Sequence, residues 1–204
     1  MRDETITSFL DQLAARVAAP GGGATAALHA AQSAALLAMV ARYSDGPKYD
    51  AGVMNHVIHE ADGIRNDALT LAERDAAAFG AVAEAYRLPK ETAEEKQARS
   101  AAITAALAEA ARPPADVVRL ALLLVSLAEE LLPDGNRNVI ADVAAAAAAA
   151  RAAAVTAQVN IEVNLRGMKD PAVKGELAAM SEVTDEVVMR ADGVVAAVRE
   201  VISR

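Results

Sequence analysis

Apolar side chains recur every three or four residues along almost the whole chain, the period of an amphipathic helix rather than a strand. Ile6, Phe9, Leu10, Leu13 and Val17 share one face and predict a first helix over residues 3–18. A second is predicted over 23–43, ending at "YSDGPKYD", and a third over 50–86, ending before Pro89. Thr92 followed by Glu95 is a capping-box signature for a fourth, which Pro113 and Pro114 close. A fifth over 115–132 is apolar almost all round and is expected at the bundle centre. After the turn "PDGN" come an alanine-rich helix over 137–165 and a last helix over 172–203, with Val187, Val188, Val194, Val195, Val198, Val201 and Ile202 on one stripe. Short connections favour antiparallel neighbours, so the expected fold is an all-α, up-and-down antiparallel bundle, with residues 1–204 as a single helical domain.

One stretch breaks the pattern. "PGGGATAALHA" sets a proline and three glycines, Gly21 to Gly23, at the entrance of a long helix. Glycine is costly to order, so a run of three points to a special backbone requirement, either a turn or a close approach.

Composition narrows the picture. Hydrophobic residues make up 54% of the chain and aromatics only 2%, with alanine supplying much of the apolar count. Alanine favours helix and lets helices approach closely. Cysteine is absent, which excludes disulfides, thiolate metal sites and a cysteine nucleophile. A net charge of −8 without a Lys/Arg cluster argues against nucleic acid. The N-terminus lacks the apolar core of a signal peptide, and the apolar stretches are either interrupted by charge or too short for a bilayer of about 30 Å. A soluble, cytoplasmic protein is expected.

Polar residues on apolar faces are the candidate chemistry. Asp75 interrupts the stripe Ile64, Ala68, Leu71, Phe79, Val82, Tyr86. A buried carboxylate needs a partner, a proton or a ligand; desolvation also gives the raised pKa that acid–base catalysis near neutrality requires. On the alanine-rich helix, Asn138 and Asp142 are four apart, as are Asn160 and Asn164. Both pairs share a face, but they lie about 27 Å apart along a straight helix, so one compact ligand cannot touch both. Inter-helix hydrogen bonds, a dimer contact or a ligand are open readings of each. His29, His56 and His59 lack any zinc-motif spacing, and no phosphate loop or Ser-His-Asp arrangement is present, so no metal is expected.

Four segments in order carry a family resemblance: "PGGGATAALHAAQSAALLAMVA", "RDAAAFGAVAEAYRLPKETAEEKQAR", "GNRNVIADVAAAA" and "VNIEVNLRGMKD". They resemble the cyclodeaminase domain of formiminotransferase-cyclodeaminase and the stand-alone methenyltetrahydrofolate cyclohydrolases. The resemblance implies a bundle that dimerises, with a folate site at or near the subunit interface and no cofactor beyond the tetrahydrofolate substrate. It implies hydrolysis of 5,10-methenyltetrahydrofolate to 10-formyltetrahydrofolate, or release of ammonia from 5-formiminotetrahydrofolate. A lone domain without a transferase half favours the hydrolysis. An inert folate-binding helical protein is the further alternative. Asp75 matches the family's acid–base residue and Asp142 its second acidic residue. Gly21, Gly22 and Gly23 would approach the ligand through backbone N–H groups; Lys48, Arg87, Lys90 and Arg166 are candidate cations for the glutamate tail. Thr25, Asn138 and Asn164 complete the expected substrate contacts. Ala24 and Ala141 stand where the family has serines, so a hydroxyl contact is expected to be lost, or shifted onto Thr25.

Overall fold

The computed structural model describes residues 2–168 and 171–204. Its helices are α1 (Ile6–Ala14), α2 (Gly22–Arg42), α3 (Ala51–Arg87), α4 (Ala93–Ala110), α5 (Arg112–Asp134), α6 (Ile140–Leu165), α7 (Pro171–Ala178) and α8 (Met180–Ile202), with a 3-10 turn at Arg137–Val139. No strand occurs among the described residues. Local chemistry sets several starts. The Asp50 carboxylate accepts from the Gly52 and Val53 N–H groups, and Thr92 with Glu95 forms the expected reciprocal capping box. Pro113 and Pro114 fall in the first turn of α5, where a missing N–H costs nothing.

The long helices α2, α3, α5, α6 and α8 alternate in direction, the expected up-and-down bundle. α3 has 37 residues against 21 for α2, about 55 Å against about 31 Å at 1.5 Å per residue. Its last turns therefore overrun the bundle end. There they pack on α4 around a separate small core of Val82, Leu107 and Ala110. Arg99 ties this arm together, its guanidinium donating to the Tyr86 carbonyl at 3.1 Å.

The middle of the main core is made of alanine. Ala26, Ala27, Ala30, Ala34 and Ala38 of α2 are fully buried, as are Ala146, Ala147, Ala150, Ala153, Ala154 and Ala157 of α6. Side chains this small let the axes come close. α5 contributes Val118, Leu124, Val125 and Leu131 to the core, yet Leu123 is half-exposed. α5 packs on α2, α3, α6 and α8, as its composition suggested, and a narrow stripe that includes Arg119, Leu123 and Glu130 is open. Arg190 fastens α8 to α5 through Glu129, at 2.6 and 3.0 Å.

Some expectations are corrected. The first helix is only Ile6–Ala14, because the approach to Pro20 and the glycines leaves 15–20 non-helical. Only Phe9 of its apolar face is buried; Ile6 is 80% exposed. α5 runs through Pro133, where a turn was expected, and the last helix is interrupted at Ala179. The Lys169–Asp170 pair that ends the fourth family-like segment lies outside the described residues. Gly22–Arg42 and Arg137–Leu165 are also long and apolar enough to cross a membrane by length and composition, contrary to the reading that the apolar stretches are too short. In the fold α2 spends this apolarity on the core, whereas α6 buries one face only.

The alanine interface yields a stability prediction. Ala150→Leu should overpack the core at α6 and lower stability by about 1–3 kcal/mol in urea unfolding, whereas the same change at exposed Ala105 of α4 should leave the midpoint near that of the parent protein.

Candidate active site

The glycine run enters α2 beside the point where α3 leaves the bundle. Asp75 sits at that point: Ile64, Ala68 and Leu71 before it are buried, while Phe79 and Tyr86 after it are half-exposed. Its carboxylate accepts a hydrogen bond from the Ala24 N–H, one of the donors that a helix start leaves without an intrahelical partner. α3 thereby caps α2 in trans. Two effects oppose each other here. The N–H bond favours the charged form, and burial disfavours it; burial dominates and pushes the Asp75 carboxyl above its ordinary value.

The second and third glycines have different reasons to be there. A Cβ on Gly23 would lie 2.0 Å from Asp75 Oδ1 and 2.3 Å from its Cγ, so only glycine admits the carboxylate. A Cβ on Gly22 would lie 3.1 Å from Asn160 Nδ2, a tight contact with a side chain that can give way. A Cβ on Gly21 would meet nothing within 4 Å. All three glycines border the same cleft, and two of them also make room for a side chain: Gly23 for Asp75 and Gly22 for Asn160.

These groups line a cleft of about 240 Å³, with Ala18, Ala19, Phe79, Ala110, Val159, Asn160, Val163 and Asn164. Asn160 donates to the Thr156 carbonyl at 2.8 Å, and Asn164 to the Ala110 carbonyl at 3.3 Å. Asn164 thus ties α6 to the end of α4. No described residue lining the cleft is a lysine or arginine.

The remaining candidates stand elsewhere. Thr25 donates to the Gly21 carbonyl at 3.0 Å and faces a mostly apolar groove of about 450 Å³ beneath α1, not the cleft. That groove is the larger cavity, but the desolvated carboxylate is not in it. Arg87 is exposed and paired with Glu84, and Lys90 and Arg166 are exposed. Lys48, Asn138 and Asp142 occupy the opposite end of the bundle. Lys48 lies 4.7 Å over the Tyr49 ring, Asn138 is exposed in the 3-10 turn, and Asp142 is half-buried in the first turn of α6. Within one chain, Asp142 is separated from Asn160 by five helical turns, about 27 Å. The fold does not bring the two aspartates together.

With this geometry in place, comparison with known proteins decides the family. A model of the formiminotransferase-cyclodeaminase family matches residues 5–183. The chain belongs to this family. It is 39% identical over 177 residues to a methenyltetrahydrofolate cyclohydrolase of Methylorubrum extorquens, covering 85% of each protein. It is 33% identical over 175 residues to a mouse formimidoyltransferase-cyclodeaminase, of which it spans 32%. The crystal structure of a formiminotetrahydrofolate cyclodeaminase from Thermotoga maritima superposes with a TM-score of 0.81 at 28% identity, covering 99% of this chain and 97% of that one.

Against the family pattern, the two missing hydroxyls differ in consequence. The Ala24 side chain is fully buried, so a serine there would extend into the packed interior beside the Asp75 contact. Thr25 does not replace it at the cleft. Ala141 is exposed at the far end.

The glycines give a graded prediction. Gly23→Ala should displace the Asp75 carboxylate and reduce turnover on the family's folate substrates at least about 100-fold, the scale of losing an acid–base group. Gly22→Ala should cost a few-fold and Gly21→Ala little. Steady-state kinetics with circular dichroism as the folding control measures the order.

Proposed function

We propose that this protein is a folate one-carbon enzyme that hydrolyses 5,10-methenyltetrahydrofolate to 10-formyltetrahydrofolate, acting in the cytoplasm as a homodimer and needing no cofactor beyond its substrate. One observation carries the reading: a desolvated carboxyl, buried against the start of α2, faces a cleft in a chain 39% identical to a methenyltetrahydrofolate cyclohydrolase.

The reaction needs a proton moved between oxygen and nitrogen on one face of a carbon. Water attacks the bridging methenyl carbon, and Asp75 takes the proton the water loses. The tetrahedral intermediate then collapses: the hydroxyl releases its remaining proton to solvent as the C=O forms, the bond from carbon to N5 breaks, and Asp75 returns its proton to that nitrogen. A carboxyl with a raised pKa suits both halves, because burial brings its two protonation states closer in free energy at neutral pH than those of an ordinary carboxyl. Phe79, Val159 and Val163 give the bicyclic ring an apolar wall, and the Asn160 and Asn164 amides give it polar contacts. The cleft holds the reacting end of a folate; the glutamate tail extends beyond it.

Release of ammonia from 5-formiminotetrahydrofolate is the second reading, favoured by the likeness over 99% of the chain to the Thermotoga maritima cyclodeaminase. It uses the same carboxyl, with nitrogen rather than oxygen leaving or entering. Near-ultraviolet absorbance of the methenyl form separates the two: its decay marks the hydrolase, its appearance from the formimino substrate the deaminase. Absence of both would overturn the enzyme reading.

Asp75→Asn should lower kcat about 10²–10⁴-fold and abolish an acid limb of the pH–rate profile placed above the ordinary carboxylate range. Stability should move the other way. The folded protein holds the Asp75 proton more tightly than the unfolded chain, so this group stabilises the fold at low pH, and the contribution is lost as pH rises through its raised pKa. The asparagine variant should therefore melt at the same or a higher temperature than the parent at pH 7.

A further inference from the structure

α1 crosses the bundle without closing onto it. Of its residues only Phe9 is buried. Between α1 and the bundle runs the groove of about 450 Å³ that Thr25 faces, within the range of about 300–1,000 Å³ typical of small-molecule pockets. Phe9, Leu10 and Leu13 line it from α1, Leu28 from α2, and Leu69 and Ala72 from α3. The hydroxyls of Thr5 and Thr25 also border it, but both are engaged by backbone groups, the Ser8 N–H and the Gly21 carbonyl. Walls of this kind hold water poorly, and hydrocarbon that displaces the water gains free energy. The groove shares no lining residue with the Asp75 cleft.

One end of the groove is polar and carries an unmatched charge. The contact of Gly23 with Asp75 sets the register of the antiparallel α2–α3 pair, so Thr25 lies near the level of Ala72, and Gln32 near that of Arg65. The two levels are about 10 Å apart at 1.5 Å per residue, the reach of a medium-chain acyl group. His29 and Gln32 stand one turn apart on α2, and their side chains have no partner among the described residues. Arg65 donates through Nη1 to Asp62 at 2.8 Å and keeps Nε and Nη2 free. Asp62 is shared with Arg42, so two guanidiniums meet one carboxylate and a positive charge is left over. Glu4, an acidic residue on the groove, is exposed and accepts from Gln12 of α1 at 3.1 Å.

We infer that this groove is a second ligand site, for a free medium-chain carboxylate: the acyl chain lies between α1 and the α2–α3 pair, and Arg65 and the Gln32 amide receive the carboxylate. Each half of the ligand answers one half of the groove. An anion without the chain leaves the apolar walls wet, and a chain without the anion leaves the surplus charge at Arg65 unmatched. A bilayer does not fit, because α1 lies over the groove and keeps a flat surface from its walls. The two acidic groups of a folate tail do not fit either, because aliphatic side chains fill the length of the slot.

The chain has no tryptophan, so a single one can report on the groove. Leu10→Trp places it on the groove wall, and Met189→Trp places a control on exposed α8. Sodium decanoate below its micelle concentration should shift the Leu10→Trp emission saturably and leave Met189→Trp unchanged, and calorimetry on the parent should give one molecule per chain. Arg65→Gln should weaken binding at least about tenfold, the scale of a lost charge-assisted hydrogen bond, with Arg65→Lys falling between. Decanol should bind at least about tenfold more weakly than decanoate. Ala35→Trp, at an exposed position on the groove, should block binding while the helical circular dichroism stays that of the parent. Asp75→Asn should bind decanoate like the parent. Equal binding of decanol and decanoate, or an unaffected Arg65→Gln, overturns the carboxylate assignment. No saturable binding, a response from both reporters, or uptake of many molecules per chain with loss of helix overturns the site. Co-sedimentation with phosphatidylcholine vesicles that Ala35→Trp abolishes also overturns it, by assigning the groove to lipid. None of these measurements needs turnover, so they decide the site independently of the folate reading.

Discussion

Everything at the working end of this bundle depends on how closely α2 can be approached. Alanine on the inner faces of α2 and α6 brings the two axes together, and glycine at the start of α2 brings α3 closer still. A helix start exposes backbone N–H groups that must find acceptors. Here one acceptor is the side chain of another helix, Asp75, and it reaches the Ala24 N–H only because Gly23 has no Cβ to stand in the way. Stability and chemistry thus draw on the same contact. The carboxylate ties two helices, and the apolar surroundings that make the tie possible also make the charge expensive to keep.

That expense is the useful quantity. Left in water, an aspartate would be fully ionised at neutral pH and a poor proton donor. Fully desolvated without an N–H partner, it would hold its proton and be a poor acceptor. Asp75 has both influences, and their balance favours the proton. Its position where α3 passes beyond the end of the bundle explains the balance. The turns before it are buried in the main core, and the turns after it are open to solvent on the arm shared with α4.

Much of this was legible in the residue pattern. Helical period gave the long helices, the Thr92–Glu95 signature gave a cap, and a carboxylate inside an apolar stripe marked Asp75. Periodicity reports angular position around a helix, and that is why it also grouped Asp142 with Asn160. It does not report which residues at opposite ends of a helix meet, which needs the tertiary and quaternary arrangement. Thr25 was misplaced because a residue one step along a helix turns by about 100°, enough to face the groove under α1 instead of the cleft. α1 itself was overextended because apolar spacing continues into residues that Pro20 and the glycines keep out of helix. The exposed cations Arg87, Lys90 and Arg166 carried no pattern that separates a ligand contact from solvated surface charge.

The contact between Gly23 and Asp75 also has a historical side. Each residue permits the other, but unequally. If the carboxylate is lost first, a side chain can then enter at position 23 without a clash. Once it has, restoring the aspartate alone puts two groups in the same space, and only a double change leads back. A lineage that abandons the chemistry and fills the gap has passed through a gate that opens one way.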